Sequence, residues 1–146
     1  MLHLPAVLEL RILERMGFKV IFVTGRSSFE AYTLAVFAGT TKIAVSENGG
    51  VITTSPEEHL VLGDKKIGVE GYDILKDRIK GIKNKPVFER MSEVVLCRNF
   101  DIASAQLILK EHKLPLYLSD SKYAFHINQA GVDKSKGLSE ALRILG

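Results

Sequence analysis

The stretch Lys19–Ser28, with the sequence KVIFVTGRSS, decides the expected fold, because a run of apolar residues ends abruptly in a polar turn. Residues Val20–Val23 are β-branched or aromatic without polar alternation, which predicts a strand, Lys19–Val23, that is buried on both faces. Thr24 and Gly25 follow at the carboxyl end of this strand. A hydroxyl and free backbone N–H groups therefore share a small space, and anions bind well in such places.

Helices and strands are predicted to alternate around this stretch. Ser27 and Glu30 have the spacing of a capping box, so a helix is expected to begin near Ser28 and to end before Gly39. Helix, strand, helix and strand in this order indicate an α/β protein with a parallel sheet. The predicted elements of this half cover residues 4–16, 19–23, 28–38, 42–45 and 51–54.

After Pro56 the pattern changes to a mixture of helices and hairpin strands. We predict an inserted α+β domain over 57–128, between the core segments 1–56 and 129–146. Within the insertion, Asp101 is predicted to cap a helix. The final segment returns to an amphipathic helix that would complete the core.

The composition is that of a globular protein, and it argues against a membrane-spanning, disulfide-rich, nucleic-acid-binding or zinc-binding protein. Of the 146 residues, 46% are hydrophobic and 25% are charged, and no apolar stretch approaches the roughly 18 residues of a membrane span. One cysteine, Cys97, excludes an intramolecular disulfide framework, and no signal peptide is recognised, so we expect a cytoplasmic protein. The net charge of +3 is modest and dispersed along the sequence, so no nucleic-acid partner is expected. No zinc site is expected, because the histidines lack ligand spacing; they are His3, His59, His112 and His126.

Four features in order resemble the haloacid-dehalogenase-like phosphatases with a type-II cap. They are VTGR at 23–26, SENGG at 46–50, the α+β insertion, and VDKSKGL at 132–138. Within this family the chain is most similar to archaeal phosphoglycolate phosphatases, which are related to sucrose-phosphate phosphatases, and the resemblance runs from Met1 to Gly146. It implies a Rossmann-like α/β core, incomplete here, with the insertion as a cap. It also implies Mg²⁺-dependent hydrolysis of a small phosphorylated metabolite, phosphoglycolate by resemblance.

The resemblance assigns phosphate-binding residues on the core. Thr24 matches the hydroxyl residue that, with the backbone N–H of Gly25, holds the transferring phosphoryl group in the family. Asn48 and Gly49 match the turn that borders the family's active site. Hydroxyl and N–H donors suit the equatorial oxygens of a phosphoryl group. Taken alone, Thr24 would also fit the end of an ordinary strand.

A lysine and a histidine complete the expected site. Lys134 matches the family's lysine that offsets the charge of the phosphoryl group, and Lys136 is the competing assignment. Lys134 would also fit a surface position on the first turn of a helix. His126 lies in a predicted cap strand above the site, where it either contacts the substrate or is a satisfied structural histidine.

The sequence departs from the family at the residues that perform the chemistry. The family's nucleophile is the first Asp of an Asp-x-Asp-Gly-Thr motif, and a Gly-Asp-x-x-x-Asp motif completes its Mg²⁺ site; neither occurs in these 146 residues. We therefore expect a chain truncated at both ends relative to the family, without metal ligands of its own and inactive in isolation. The alternative is a non-catalytic phosphate-ligand-binding or interaction domain derived from the same fold.

One consequence of the resemblance concerns partners. In the family, the strand with the nucleophile lies beside the strand matched here by Lys19–Val23. Without that neighbour, unpaired N–H and C=O groups form a template for another chain. We therefore expect self-association through Lys19–Val23, and a small phosphorylated substrate as the other partner.

Overall fold

Two β-sheets and the helices packed on them organise residues 3–146, the part of the chain that the computed structural model describes. The helices are α1 (Leu4–Arg15), α2 (Ser28–Ala38), α3 (Lys65–Arg78), α4 (Ile102–Glu111) and α5 (Lys134–Leu145). The strands are β1 (Phe22–Val23), β2 (Ala44–Ser46), β3 (Val51–Thr53), β4 (His59–Val61), β5 (Val94–Leu96), β6 (Leu116–Asp120) and β7 (Phe125–Gln129). Between residues 3 and 146, no helix has the length and apolar character needed to cross a membrane.

The first sheet has the strand order β1-β2-β3-β4. β1 and β2 are parallel, and Phe22 lies opposite Ala44, whereas the other pairs are antiparallel. Helices α2 and α5 pack against this sheet, where Val45, Ile52 and Ala141 are completely buried. The parallel pair confirms the α/β fold class predicted from the alternation of helices and strands.

The second sheet has the order β5-β7-β6 and is antiparallel throughout. Helices α3 and α4 pack against it and against each other. Leu75, Leu96, Leu109 and Ile127 have no exposed surface in the core between them. This sheet and its two helices form the α+β unit that was predicted as an insertion.

Local sequence signals at the helix ends are confirmed. The Ser27 side chain accepts a hydrogen bond from the backbone of Glu30, and the Glu30 carboxylate accepts one from the backbone of Ser27, which completes the capping box. Gly39 ends α2 with a φ of 69°. Asp101 caps α4 by accepting a hydrogen bond from Ser104 N at 2.8 Å.

The first strand is shorter and less enclosed than predicted. β1 contains only Phe22–Val23, not 19–23, and its residues are half-buried. The backbone N–H of Val20 donates to the side chains of Glu14 and Thr41, at 3.0 Å in each case, so it is not available to a strand ladder. Among the described residues β1 is the edge strand of its sheet, so it has a backbone partner on one side only.

The division into core and insertion stays a prediction, with one boundary shifted. β4 was assigned to the insertion 57–128, but Leu60 pairs with Ile52, so β4 extends the first sheet. The chain leaves the first sheet after Val61 and leaves the second sheet after Gln129. Residues 1 and 2 of the predicted core segment lie outside the described residues.

Helix α1 and its C-cap present an apolar stripe to solvent, formed by Leu4, Leu8, Ile12 and Met16. Leu4, Leu8 and Met16 are 71%, 58% and 67% exposed, and no residue of α1 is buried. The helix is attached to the rest of the chain partly by polar contacts, such as Arg11 Nε donating to the carbonyl oxygen of Ala38 at 2.7 Å. A large exposed apolar surface of this kind favours association.

We predict that this stripe, with the edge of β1, makes the chain self-associate. Leu8→Lys should weaken the association about tenfold, because it replaces the apolar burial of one leucine with a charge. Glu9→Gln is the matched control, since it changes the net charge by the same one unit but leaves the stripe intact. Sedimentation equilibrium measures both. A wild-type chain that stays monomeric at high concentration would contradict the prediction.

Candidate active site

The turns that follow β1 and β2 lie against each other at the carboxyl ends of these parallel strands. Thr24 N donates to Val45 O at 2.9 Å, and Asn48 N donates to Thr24 O at 3.2 Å. Glu47 N donates in addition to Arg26 O at 2.8 Å. The two predicted phosphate-binding turns are therefore joined directly by backbone hydrogen bonds.

Glycines allow this region to pack with almost no space between backbones. A Cβ on Gly25 would lie 2.8 Å from Asn48 Oδ1. At Gly49, where φ is +100°, a Cβ would lie only 1.8 Å from Asp133 O and 2.8 Å from Lys134 N. The turn after β2 therefore touches the first residues of α5, and the structure brings Lys134 to the predicted site.

The structure distinguishes the two candidate lysines by their surroundings. Lys136 Nζ donates to Glu140 Oε1 at 3.1 Å, one helical turn along α5. Lys134 has its backbone against Gly49 and an exposed side chain. This arrangement favours Lys134 as the lysine that can meet a ligand, and the assignment remains a prediction.

A cavity of about 770 Å³ opens between the two sheets, beside Thr24. Its first-sheet wall includes Thr24, Gly25, Arg26 and Glu30, and its second-sheet wall includes Arg90, Ser121 and His126. The predicted residues Asn48, Gly49 and Lys134 are not among its lining residues, but the turn at Asn48 and Gly49 contacts both Thr24 and the start of α5. The predicted site is thus divided between the cavity wall and the turns that support it.

A buried carboxylate, Glu93, connects the two walls. It is 1% exposed and accepts hydrogen bonds from Arg90 Nη1 at 2.8 Å and Asn48 Nδ2 at 2.9 Å. His126 Nδ1 lies 3.1 Å from the same carboxylate, and His126 Nε2 lies 3.1 Å from Ser121 Oγ. Both ring nitrogens of His126 therefore have protein partners, although its ring lines the cavity. A direct contact between His126 and a substrate remains a prediction.

A second buried carboxylate, Glu47, lies in the SENGG motif but was not predicted as a site residue. It is 1% exposed and accepts hydrogen bonds from Met91 N, Ser92 N and Ser92 Oγ at 2.8–2.9 Å. Burial is the main cause that raises the pKa of Glu47, and the charge of Glu93 adds to it, while the bonds from Ser92 and Met91 oppose it. The glycine pair Gly49-Gly50 is the local sign in the sequence of an unusual turn here, and in the structure Glu47 has a φ of 50°.

The resemblance implies a magnesium ion, which would need several oxygen ligands among the described residues. Between residues 3 and 146, no three His, Cys, Asp or Glu side chains form a group that could hold a metal ion. Glu47 and Glu93 are already saturated by N–H and O–H donors. Mg²⁺ needs several free oxygen ligands, so these residues do not fit it.

The sequence is similar to curated archaeal enzymes over most of its length. A phosphoglycolate phosphatase of Nitrosopumilus maritimus is 48% identical over 142 residues, which cover 97% of this chain and 62% of that protein. A phosphoglycolate phosphatase of Methanothrix thermoacetophila is 35% identical over 92% of this chain and 60% of that protein. The chain therefore spans about three fifths of the length of these relatives. No protein-family model matches it.

Solved structures share the fold at low sequence identity. The structure of Thermoplasma acidophilum 0175 has a TM-score of 0.79 at 17% identity and covers 99% of this chain and 64% of its own. The sucrose-phosphatase from Synechocystis sp. PCC6803, in complex with sucrose and phosphate, has a TM-score of 0.66 at 20% identity and covers 97% and 63%. A haloacid dehalogenase-like hydrolase from Bacteroides thetaiotaomicron has a TM-score of 0.73 at 13% identity and covers 100% and 71%.

The close contact at Gly49 predicts a large stability loss for Gly49→Ala. The new Cβ would overlap the Asp133 carbonyl, and the positive φ adds strain, so we expect a loss of about 3 kcal/mol or more. Gly81→Ala is the matched control, because Gly81 has a φ of +83° but nothing within 4 Å of its Cβ position, and should cost only about 1 kcal/mol. Urea unfolding measures both losses. Equal losses would show that the contact with α5 is unimportant.

Glu47→Gln is expected to remove part of the pH dependence of stability. Folding raises the pKa of Glu47, so the folded chain binds this proton more tightly than the unfolded chain. The free energy of unfolding should therefore fall as the pH rises from the ordinary value of 4.5 through the raised folded value. The glutamine variant has no such proton, so the wild type should lose stability relative to it over this range. Urea unfolding at a series of pH values measures the difference, and a constant difference would contradict the prediction.

Proposed function

We propose that this chain is the part of a phosphatase that holds the phosphate and covers the substrate, and that the substrate is a small phosphorylated metabolite. The proposal is based on its similarity to archaeal phosphoglycolate phosphatases and on its haloacid-dehalogenase-like fold. The activity and substrate of the whole protein are part of this proposal, since the chain spans about three fifths of those relatives. The names of the relatives make phosphoglycolate the substrate to test first.

The observation that supports this proposal most is the meeting of three predicted phosphate-binding elements at one turn. Thr24 and Gly25 contact the turn at Asn48 and Gly49, which in turn contacts the backbone of Lys134. A hydroxyl, a backbone N–H and an ammonium are the donors that the oxygens of a phosphoryl group need. Their sequence positions are far apart, so only folding brings them together.

The position of the cavity supports a small substrate. A phosphoryl group at Thr24 and Gly25 would leave the rest of the ligand in the space between the two sheets. Arg90, Ser121 and His126 form the opposite side of that space. Covering the ligand from the second sheet excludes water, and this strengthens each polar contact with the phosphate.

A second candidate function is the binding of phosphate esters without hydrolysis. The hydrogen bonding of the one acidic residue at the cavity favours it. Glu30 is the one carboxylate among the lining residues of this cavity, and its oxygens are bonded to Ser27 and to Arg26 Nη1 at 2.8–3.1 Å. Burial opposes ionisation of Glu30, but the bonds from Ser27 and the charge of Arg26 outweigh it and hold its pKa below the ordinary value. A carboxylate occupied in this way is a poor nucleophile, so the chain alone is expected to bind phosphate esters without cleaving them.

Calorimetric titration with phosphoglycolate tests the proposed site. Thr24→Val and Lys134→Ala should each weaken binding about tenfold, because each removes a hydrogen bond or charge directed at the phosphate. Lys136→Ala is the control and should leave binding unchanged, since Lys136 is engaged by Glu140. A larger effect of Lys136→Ala would mean that the lysine assignment is wrong.

A phosphate-release assay on the same wild-type sample separates binding from hydrolysis. We expect release at the background rate with added Mg²⁺, because no free carboxylate faces the phosphate among the cavity residues described above. Hydrolysis that requires Mg²⁺ and survives repurification would overturn binding without hydrolysis and would establish the phosphatase reaction for this chain.

A further inference from the structure

Arg90 is a buried cation on the cavity wall, and some of the N–H donors of its guanidinium have no acceptor in the protein. Its side chain is 8% exposed. One terminal nitrogen, Nη1, donates to Gly25 O at 2.9 Å and to Glu93 Oε1 at 2.8 Å. These two bonds hold the guanidinium beside the first-sheet wall of the cavity and fix its orientation.

The other edge of this guanidinium has no partner in the protein. Arg90 Nε is enclosed and makes no hydrogen bond within residues 3–146. Nη2 makes none with these residues either and, unlike Nε, is not fully enclosed. Together Nε and Nη2 form the planar pair of donors that matches the two oxygens of a carboxylate. A buried donor without an acceptor is unfavourable, so the arrangement points to an acceptor supplied by a ligand.

The neighbouring polar groups are already occupied. Arg26 pairs with Glu30 at 2.9 Å and is 67% exposed, so its charge is largely screened by water. Both ring nitrogens of His126 have partners in Glu93 and Ser121. Of the two arginines that line the cavity, Arg90 is therefore the one that has donors without partners and is shielded from solvent.

The position of Arg90 limits the length of a ligand that can reach it from the phosphate site. Its Nη1 touches the carbonyl oxygen of Gly25, the residue whose N–H belongs to the proposed phosphate site next to Thr24. A second anionic group on the ligand must therefore lie only a few atoms from the phosphorus. A phosphate ester with a carboxylate on the next carbon has this length.

We propose that Arg90 binds the carboxylate of the substrate and so selects short phosphate esters that bear a carboxylate. The inference rests on the proposed function, because it places the phosphate at Thr24 and Gly25. Nη2, which is not fully enclosed, makes the contact with the carboxylate. The charge of Glu93 does not cancel this attraction, since Glu93 is shared among donors from Arg90, Asn48 and His126.

The test compares two esters of equal length by calorimetry on the full chain. Phosphoglycolate bears a carboxylate, and ethyl phosphate has a methyl group in its place. The wild type should bind phosphoglycolate at least tenfold more tightly than ethyl phosphate. Arg90→Gln should abolish that preference, so that the affinities for the two esters come within about twofold of each other. Arg98→Gln, which removes the same charge from an exposed pair with Asp120, should preserve the preference.

A measurement on the wild type covers the case in which Arg90→Gln does not fold. In a ¹H–¹⁵N spectrum, the signal of the Arg90 Nε–H should shift on addition of phosphoglycolate and not on addition of ethyl phosphate. Through-bond correlation from the Arg90 backbone assigns the signal on the wild type itself. No shift of this signal with saturating phosphoglycolate would overturn the inference.

The outcomes separate this inference from the proposed function. If the wild type binds both esters equally and Arg90→Gln weakens both equally, Arg90 binds the phosphate and not the carboxylate. This result would overturn the carboxylate assignment but not the proposed phosphate site. Failure of the wild type to bind phosphoglycolate, ethyl phosphate or inorganic phosphate would overturn both.

Discussion

Two buried carboxylates, Glu47 and Glu93, determine how the two halves of this molecule, the first sheet with its helices and the second sheet with its helices, are oriented relative to each other. A carboxylate removed from water is costly unless several donors surround it. Glu47 lies in the turn after β2, and its donors are Met91 and Ser92, just before β5. Glu93 precedes β5 and receives the side chain of Asn48 from that same turn. Each sheet therefore supplies the groups that satisfy a charge of the other, and one relative position satisfies both.

The cavity follows from this constraint. Because the segment 91–93 is held against the turn after β2, β7 and its neighbours lie opposite Thr24, and a space remains between the walls. The same contacts set the orientation of Arg90, whose guanidinium spans from Glu93 to Gly25. The residues that recognise a ligand and those that join the sheets thus belong to one hydrogen-bonded network. A change at any member is expected to alter both stability and binding.

The two halves differ in how completely they bury their apolar residues. The second sheet encloses a cluster of nine buried hydrophobic residues with α3 and α4, whereas the cluster of the first sheet has four. The first half also has the half-buried strand β1 and the exposed apolar stripe of α1. More of the stabilising burial therefore lies in the second half, and the first half depends more on the polar contacts that join it to the second.

Local features of the sequence were sufficient for both ends of α2 and for the beginning of α4. The capping box of Ser27 and Glu30 and the left-handed Gly39 depend on contacts within a few residues, so their patterns are visible in the chain. The resemblance likewise selected Thr24 and Asn48, which the fold places side by side. The burial of Glu47 and the partners of His126 were decided only by the tertiary structure. The donors of Glu47 are 44 and 45 residues away and the carboxylate partner of His126 is 33 residues away, and no local pattern encodes contacts over such separations.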